Sequence, residues 1–497
     1  VAATYYLGID QGTTGTTVLV LDSHWNLCGR GYREHTQHYP RPGWVEHDPE
    51  EIWQKLQEAA AMALEAAGIH AGDVRALGLD NQGETCLIWE RRTGRPIHNA
   101  IVWQDRRTAS DADRLRERHE TAIRDKTGAP VDAYFSGPKL QWILDHVPGA
   151  RSRAEKGELM AGTLDTYLLW KMSGGALNVT DPSTASRTML CNIHTGRWDE
   201  ELLKWMDVPR AILPEVVDSG GLLGSTSEDF LGARIPIGSS LVDQPAALFG
   251  QTCFRRGSVK TTYGTGCFML MNTGEAPVRS ANGLVTTVGW RLRGKTTYAL
   301  DGGVYIAGAA VQWLRDGLGI IRSAAETEAM ARSTPDSGGV YFVPAFTGLA
   351  APYWDQYARG MLIGITGGTS RAHLVRATLE AIALQVRENL DVMSQDSGIA
   401  IESMRADGGA AVNEFLMQFQ ADVLGIPVDV PVINETTALG AAYLAAIGIG
   451  DFEGPDAIAG GWKLKRRYEP AISQDQRSSL LAGWKAAVER CRHWAKT

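Results

Sequence analysis

Asp10 stands before the run QGTT and Asp243 before QPAA, each at the end of an apolar stretch that reads as a strand. Phosphoryl transfer to a hydroxyl needs Mg2+ near the phosphates and a carboxylate to take the hydroxyl proton, and two such acids supply both groups. Either acid alone reads equally well as a helix cap or as an acceptor for turn amides. The turns beside them, QGTTGTT (11–17) and GTG (264–266), bring glycine N–H groups and threonine hydroxyls to a tip, which suits phosphate oxygens. A single glycine-rich tip is ordinarily just a hairpin. A third junction, ADGGAAVNEF (406–415), passes from strand to helix through Gly408 and Gly409. Those glycines admit a flat ring, or merely tight strand–helix packing. No Walker A sequence and no strand-linked GxGxxG occur, which disfavours P-loop and dinucleotide-fold readings.

The elements that must hold these groups follow from the periodicity. YYLGID-QGTTGTT-VLVLD and SVKTTY-GTG-CFMLMN both read strand, turn, strand, about half a chain apart. They predict a duplicated α/β architecture with one phosphate-type tip per half and a division into 1–250 and 251–497. IPIGSSLVDQPAALFGQ (235–251) predicts a strand that delivers Asp243 into a helix. Another helix is punctuated at both ends: Asp48 caps it, Pro49 opens it, Glu50 and Glu51 suit its dipole and Gly68 ends it. Further helices are expected over 307–318, 371–395 and 413–425. The hexapeptide DNQGET (80–85) interrupts an apolar run as a turn at Gly83, with more polar groups than a turn requires.

Bulk properties narrow the partners. A net charge of -8 over 497 residues lacks the basic stripe that nucleic acid requires. The six cysteines form no CxxC pair, so buried free thiols in a reducing compartment are expected. The first ten residues lack a basic segment, and the apolar run 438–450 is too short to cross a bilayer. A cytoplasmic protein without a membrane span is the expectation.

Several blocks together resemble the FGGY carbohydrate kinases, and within that family the glycerol-phosphorylating branch. They are DQGTTGTT (10–17), NAIVWQDRRT (99–108), YFSGPKLQWI (134–143), GTLDTYLLWKM (162–172), DPSTASRTMLCNI (181–193), VDQPAALFGQ (242–251), TYGTGCFMLMNTGE (262–275), AGAAVQWLRD (307–316), VPAFTGLAAPYWDQYARG (343–360) and ADGGAAVNEFLMQFQ (406–420). The resemblance implies two actin-like, ribonuclease-H-like α/β domains with mixed sheets flanking a cleft. It also implies ATP and Mg2+ as cofactors, a small polyol or sugar as acceptor, and a homo-oligomer, dimer or tetramer. Asp243 then matches the catalytic base and Asp10 the Mg2+-associated acid, with Asp243 also beside the metal. Thr13, Thr14 and Gly15, with Thr265 opposite, match phosphate contacts; Gly308, Gln312, Gly409 and Asn413 match positions around ribose and adenine. Gln82, Gly83, Glu84, Trp103, Tyr134, Gln244 and Phe268 match the acceptor side.

Four departures bear on the acceptor. Gly83 stands where that branch carries an arginine that donates to glycerol hydroxyls, and Thr17 replaces a second arginine. Asp80 replaces an uncharged residue, and Ala350 a glycine. The implied reaction is transfer of the ATP γ-phosphoryl group to a polyol hydroxyl, foremost glycerol to sn-glycerol 3-phosphate. The alternatives are another sugar alcohol or a ketose and, from another class, an actin- or chaperone-like ATPase. Asp243 and the three aromatics weigh against the ATPase.

Overall fold

A computed structural model describes residues 4–495. The strand Tyr5–Gln11 runs antiparallel to Gly15–Asp22, which pairs in turn with Leu27–Glu34. On its other side Tyr5–Gln11 runs parallel to Val74–Asn81, itself parallel to Pro236–Val242. The second half repeats this plan. Val259–Tyr263 is antiparallel to Cys267–Gly274, which pairs with Lys295–Val304. On its far side it is parallel to Met404–Asp407, and that strand to Val428–Pro431. The duplication expected from the two tips is therefore a duplication of strand order and direction. Both units merge edge to edge into one sheet of thirteen strands, joined at the pair Gly220–Leu292.

Chain order and position in space part company at the helix Thr436–Gly448. It follows the second unit in sequence yet lies under the strands of the first. Glycines on three neighbouring strands make room for it: a Cβ on Gly8, Gly78 or Gly238 would sit 2.0, 2.1 or 2.4 Å from the helix carbonyls of Ala438, Ala441 and Ala445. Such contact brings the helix backbone onto the sheet without intervening side chains.

The punctuated helix spans Pro49–Ala67, with the Asp48 carboxylate accepting from Glu50 N and Gly68 in the left-handed conformation. DNQGET is a turn, but the strands around it part. Val74–Asn81 lies in the large sheet, whereas Cys86–Glu90 enters a separate four-stranded sheet. All six cysteines are free and all but Cys28 are buried. No helix among the described residues is long and apolar enough to cross a membrane.

The loop 343–360 is tied to the helix Arg371–Ser397 by a hydrogen bond from the Tyr353 hydroxyl to Glu388. Burial pushes the Glu388 carboxyl from 4.5 to about 7. The folded state therefore holds this proton more tightly than the unfolded chain. That contribution to stability is full below pH 4.5 and is lost as pH rises through about 7. Glu388→Gln, which cannot ionise, is expected to flatten the fall in melting temperature between about pH 5 and 8. Thermal unfolding across that range checks it, and an unchanged slope would refute the assignment.

Candidate active site

The first turn closes through Gly12 N donating to Gly15 O at 2.9 Å. Thr14 is exposed at its tip and Thr13 half-buried. The Thr13 hydroxyl accepts from Trp103 Nε1 at 2.9 Å, and its carbonyl from Gln37 Nε2 at 2.9 Å. Gly15 begins the return strand where a Cβ would sit 2.5 Å from the Arg33 carbonyl, so it shapes the turn by backbone approach. The second turn is built alike, with Gly264 N donating to Gly266 O at 2.8 Å and Thr265 exposed. It is seated on the start of the helix Gly308–Asp316: Gly308 N donates to Gly264 O at 3.0 Å, and Ala307 N and Ala309 N donate to Thr265 O. Gly308 thus fixes the turn. Gln312 is exposed one helical turn further on.

At the third junction Gly409 is exposed, with open space where a Cβ would be. A flat ring can approach its backbone. Asn413 stands four residues on, at the start of the next helix. Its Oδ1 caps the helix Glu414–Leu424 by accepting from Leu416 N at 3.0 Å, and its Nδ2 donates to Thr327 at 3.1 Å.

Three acids meet at three adjacent strand ends. Asp10 is in register with Asp80, and Asp80 with Leu241, two residues before Asp243. Thr437, in the first turn of the buried helix, donates to Asp10 Oδ2 at 2.6 Å. Asp80 is fully buried, and neither of its oxygens accepts a hydrogen bond from an N–H or hydroxyl donor among the described residues. Burial, with Asp10 and Asp243 nearby, drives its carboxyl well above the ordinary range. Asp243 opens the helix Asp243–Gly250, accepting from Gln244 N at 2.6 Å. Burial and then Glu84 raise its carboxyl to about 7, while the Lys260 ammonium opposes them. A base of that strength suits proton removal near neutrality. Hard oxygen donors on Asp10 and Asp243, beside two phosphate-type turns, also fit Mg2+, which binds through one or two carboxylates plus phosphate oxygens.

The residues matched to the acceptor include two rings in contact and a buried carboxylate. Trp103 and Tyr134 meet edge to face with centroids 5.7 Å apart. Phe268, half-buried, comes from the second unit, its ring 3.6 Å from where a Cβ on Gly303 would lie. Glu84 is buried and accepts from Arg187 Nε at 2.5 Å. Gln82 turns away from it: its amide donates to Gln11 Oε1 at 3.1 Å and accepts from Thr85 Oγ1 at 2.9 Å, behind the first turn. Gly83 has φ 87°, and a Cβ there would meet Val242 Cγ2 at 3.0 Å on one side. Gln244 is steered by the buried Lys260, whose ammonium donates to Gln244 Oε1 and, at 3.1 Å, to Thr262.

Sequence reasoning singled out neither Arg187, Lys260, Asp301 nor Lys139. Lys139 is fully buried and donates to Tyr134 O at 2.5 Å, fixing the backbone that carries that ring. The available signal was a lone basic residue inside an otherwise uncharged run, as with Arg187 in STASRTMLCNI and Lys260 in SVKTTY.

Residues 5–250 match the N-terminal domain of the FGGY family of carbohydrate kinases, and residues 259–449 its C-terminal domain. Glycerol kinase 2 of Thermotoga maritima is 55% identical over 99% of both chains, and the glycerol kinase of Deinococcus radiodurans 56% over 99% of this chain and 98% of the relative. The crystal structure of Plasmodium falciparum glycerol kinase with ADP superposes with a TM-score of 0.92 at 34% identity, covering 98% of each chain.

Proposed function

Since the chain belongs to the FGGY family of carbohydrate kinases, we propose that it transfers the γ-phosphoryl group of ATP to a terminal hydroxyl of glycerol, giving sn-glycerol 3-phosphate and ADP. The observation that carries the chemistry is Asp243, a carboxylate raised to about 7 beside the buried Glu84, with a glycine–threonine turn on each unit. A hydroxyl is a poor nucleophile, so in-line positioning, charge neutralisation and removal of its proton must do most of the work.

In this reading the acceptor lies against Trp103, Tyr134 and Phe268, with its C–H faces on the rings and its O–H groups toward Glu84 and Asp243. The carboxylate of Asp243 takes the proton of the attacking hydroxyl. The new O–P bond forms at the γ-phosphorus as the bond to the β,γ-bridging oxygen breaks. Thr13, Thr14, Gly15 and Thr265 hold the phosphates, and Gly409 leaves room for the base. Gln312 flanks the ribose. Mg2+ arriving with the nucleotide would lie by Asp10 and Asp243 and neutralise phosphate charge. Gln244, steered by Lys260, bounds the acceptor beside the base.

ADP release from Mg-ATP should depend on the acceptor, with glycerol preferred over tetritols, pentitols and ketopentoses. Preference for a ketopentose with polyols inert would overturn the acceptor. Turnover independent of any small molecule but stimulated by a partner protein would favour the ATPase class instead.

A further inference from the structure

The acceptor wall has one guanidinium that reaches its carboxylate, and it comes from residue 187. Gly83 offers no side chain, and Val242 Cγ2 would lie 3.0 Å from a Cβ there. Arg187 is 7% exposed. Its Nε donates to Glu84 Oε1 at 2.5 Å and its Nη1 to Asp301 Oδ2 at 3.0 Å. The guanidinium also lies 5.7 Å from the ring centroids of Tyr134 and Phe135. Glu84 belongs to the first unit and Asp301 to the strand Lys295–Val304 of the second. The cation therefore bridges the two units at the acceptor pocket.

The backbone beneath it is held on both sides. Asp181 accepts from Ser183 N and Thr184 N at 2.9 and 2.8 Å, capping the short helix that precedes the turn Ser186–Thr188. Ser186 shares a hydrogen bond with Thr287 of the second unit at 2.9 Å, and the Thr188 hydroxyl donates to Ala185 O at 2.7 Å. A buried arginine between two carboxylates on a fixed turn is preorganised, so little freedom is lost when it orients them. It occupies Glu84 Oε1 only. Oε2 takes no hydrogen bond from a described protein donor and stays available to an acceptor hydroxyl.

Resting on the polyol-kinase reading above, we propose that Arg187 is the positioning cation of the acceptor site. It aims Glu84 at the acceptor and, through Asp301, makes that aim depend on the second unit being in place. Removing it frees Glu84 to rotate and leaves the Glu84 and Asp301 carboxylates without the cation between them. That would weaken acceptor binding and leave the nucleotide turns untouched.

Steady-state kinetics of the full chain with glycerol and Mg-ATP tests this. Arg187→Gln is expected to raise KM for the polyol by about 10- to 100-fold while KM for ATP moves by less than about 2-fold. Arg187→Lys should recover part of the loss, because an ammonium reaches one carboxylate but not both. Asp301→Asn, which spares the Arg187–Glu84 pair, should raise the same KM less. The double variant should fall short of the product of the singles. An unchanged polyol KM in Arg187→Gln, or equal rises in both KM values, overturns the proposal. Should Arg187→Gln fail to fold, the Lys and Asn variants decide, and wild-type polyol KM in both refutes it. A wild-type enzyme that turns over no polyol is a different result: it removes the acceptor assignment on which the proposal stands.

Discussion

Asp243→Asn is expected to bind Mg-ATP and polyol and to transfer phosphate about 10^2- to 10^4-fold more slowly. Asparagine keeps the size of the side chain and an oxygen for the Gln244 amide, which now lies 2.6 Å away. It cannot accept the proton of the attacking hydroxyl. Single-turnover transfer of labelled phosphate, paired with a nucleotide-binding titration, separates chemistry from binding. A rate within tenfold of wild type would mean that another group takes the proton. Loss of nucleotide binding would point to a structural part for Asp243.

The other large effect is expected where two helices cross backbone on backbone. A Cβ on Gly440 would lie 1.9 Å from the Ala246 carbonyl, and one on Gly250 would lie 1.9 Å from that of Thr436. Gly440→Ala must push the helices apart, at a cost of about 1–3 kcal/mol or more. One of these helices begins with Asp243, and the other presents Thr437 to Asp10. The separation therefore displaces both acids as well as loosening the core. Thermal unfolding should show a clear loss of stability, with kcat falling in the protein that remains folded. Wild-type melting and wild-type kcat together would show that the crossing is more compliant than its geometry indicates.

What the sequence disclosed was local. Asp48, Pro49 and Gly68 mark the ends of the helix Pro49–Ala67 because caps act within one turn of the residues they serve. The two tips were legible for the same reason, since a glycine–threonine turn is specified by its own few residues. The polar surplus in DNQGET was visible too, but its division was not. Glu84 faces Arg187 while Gln82 faces Gln11, and only the crossing of the chain between two sheets sends neighbours to opposite sides. The seat of the helix Thr436–Gly448 under the first unit depends on Gly8, Gly78 and Gly238, which are far apart in the chain and unremarkable one by one. Arg187 eluded a local reading because its meaning lies in Asp301, which a different unit supplies.

Trp103 carries one further consequence. Its indole N–H is hydrogen-bonded to the hydroxyl of Thr13, so the ring proposed to face the acceptor is tied to the turn proposed to hold phosphate. A polyol that shifts the ring shifts the turn. Equilibrium linkage then makes the effect mutual: whatever factor the polyol adds to the affinity for nucleotide, nucleotide must add to the affinity for polyol. In the proposed reading the two substrates would then be each other's effectors, with no separate regulatory site needed between them.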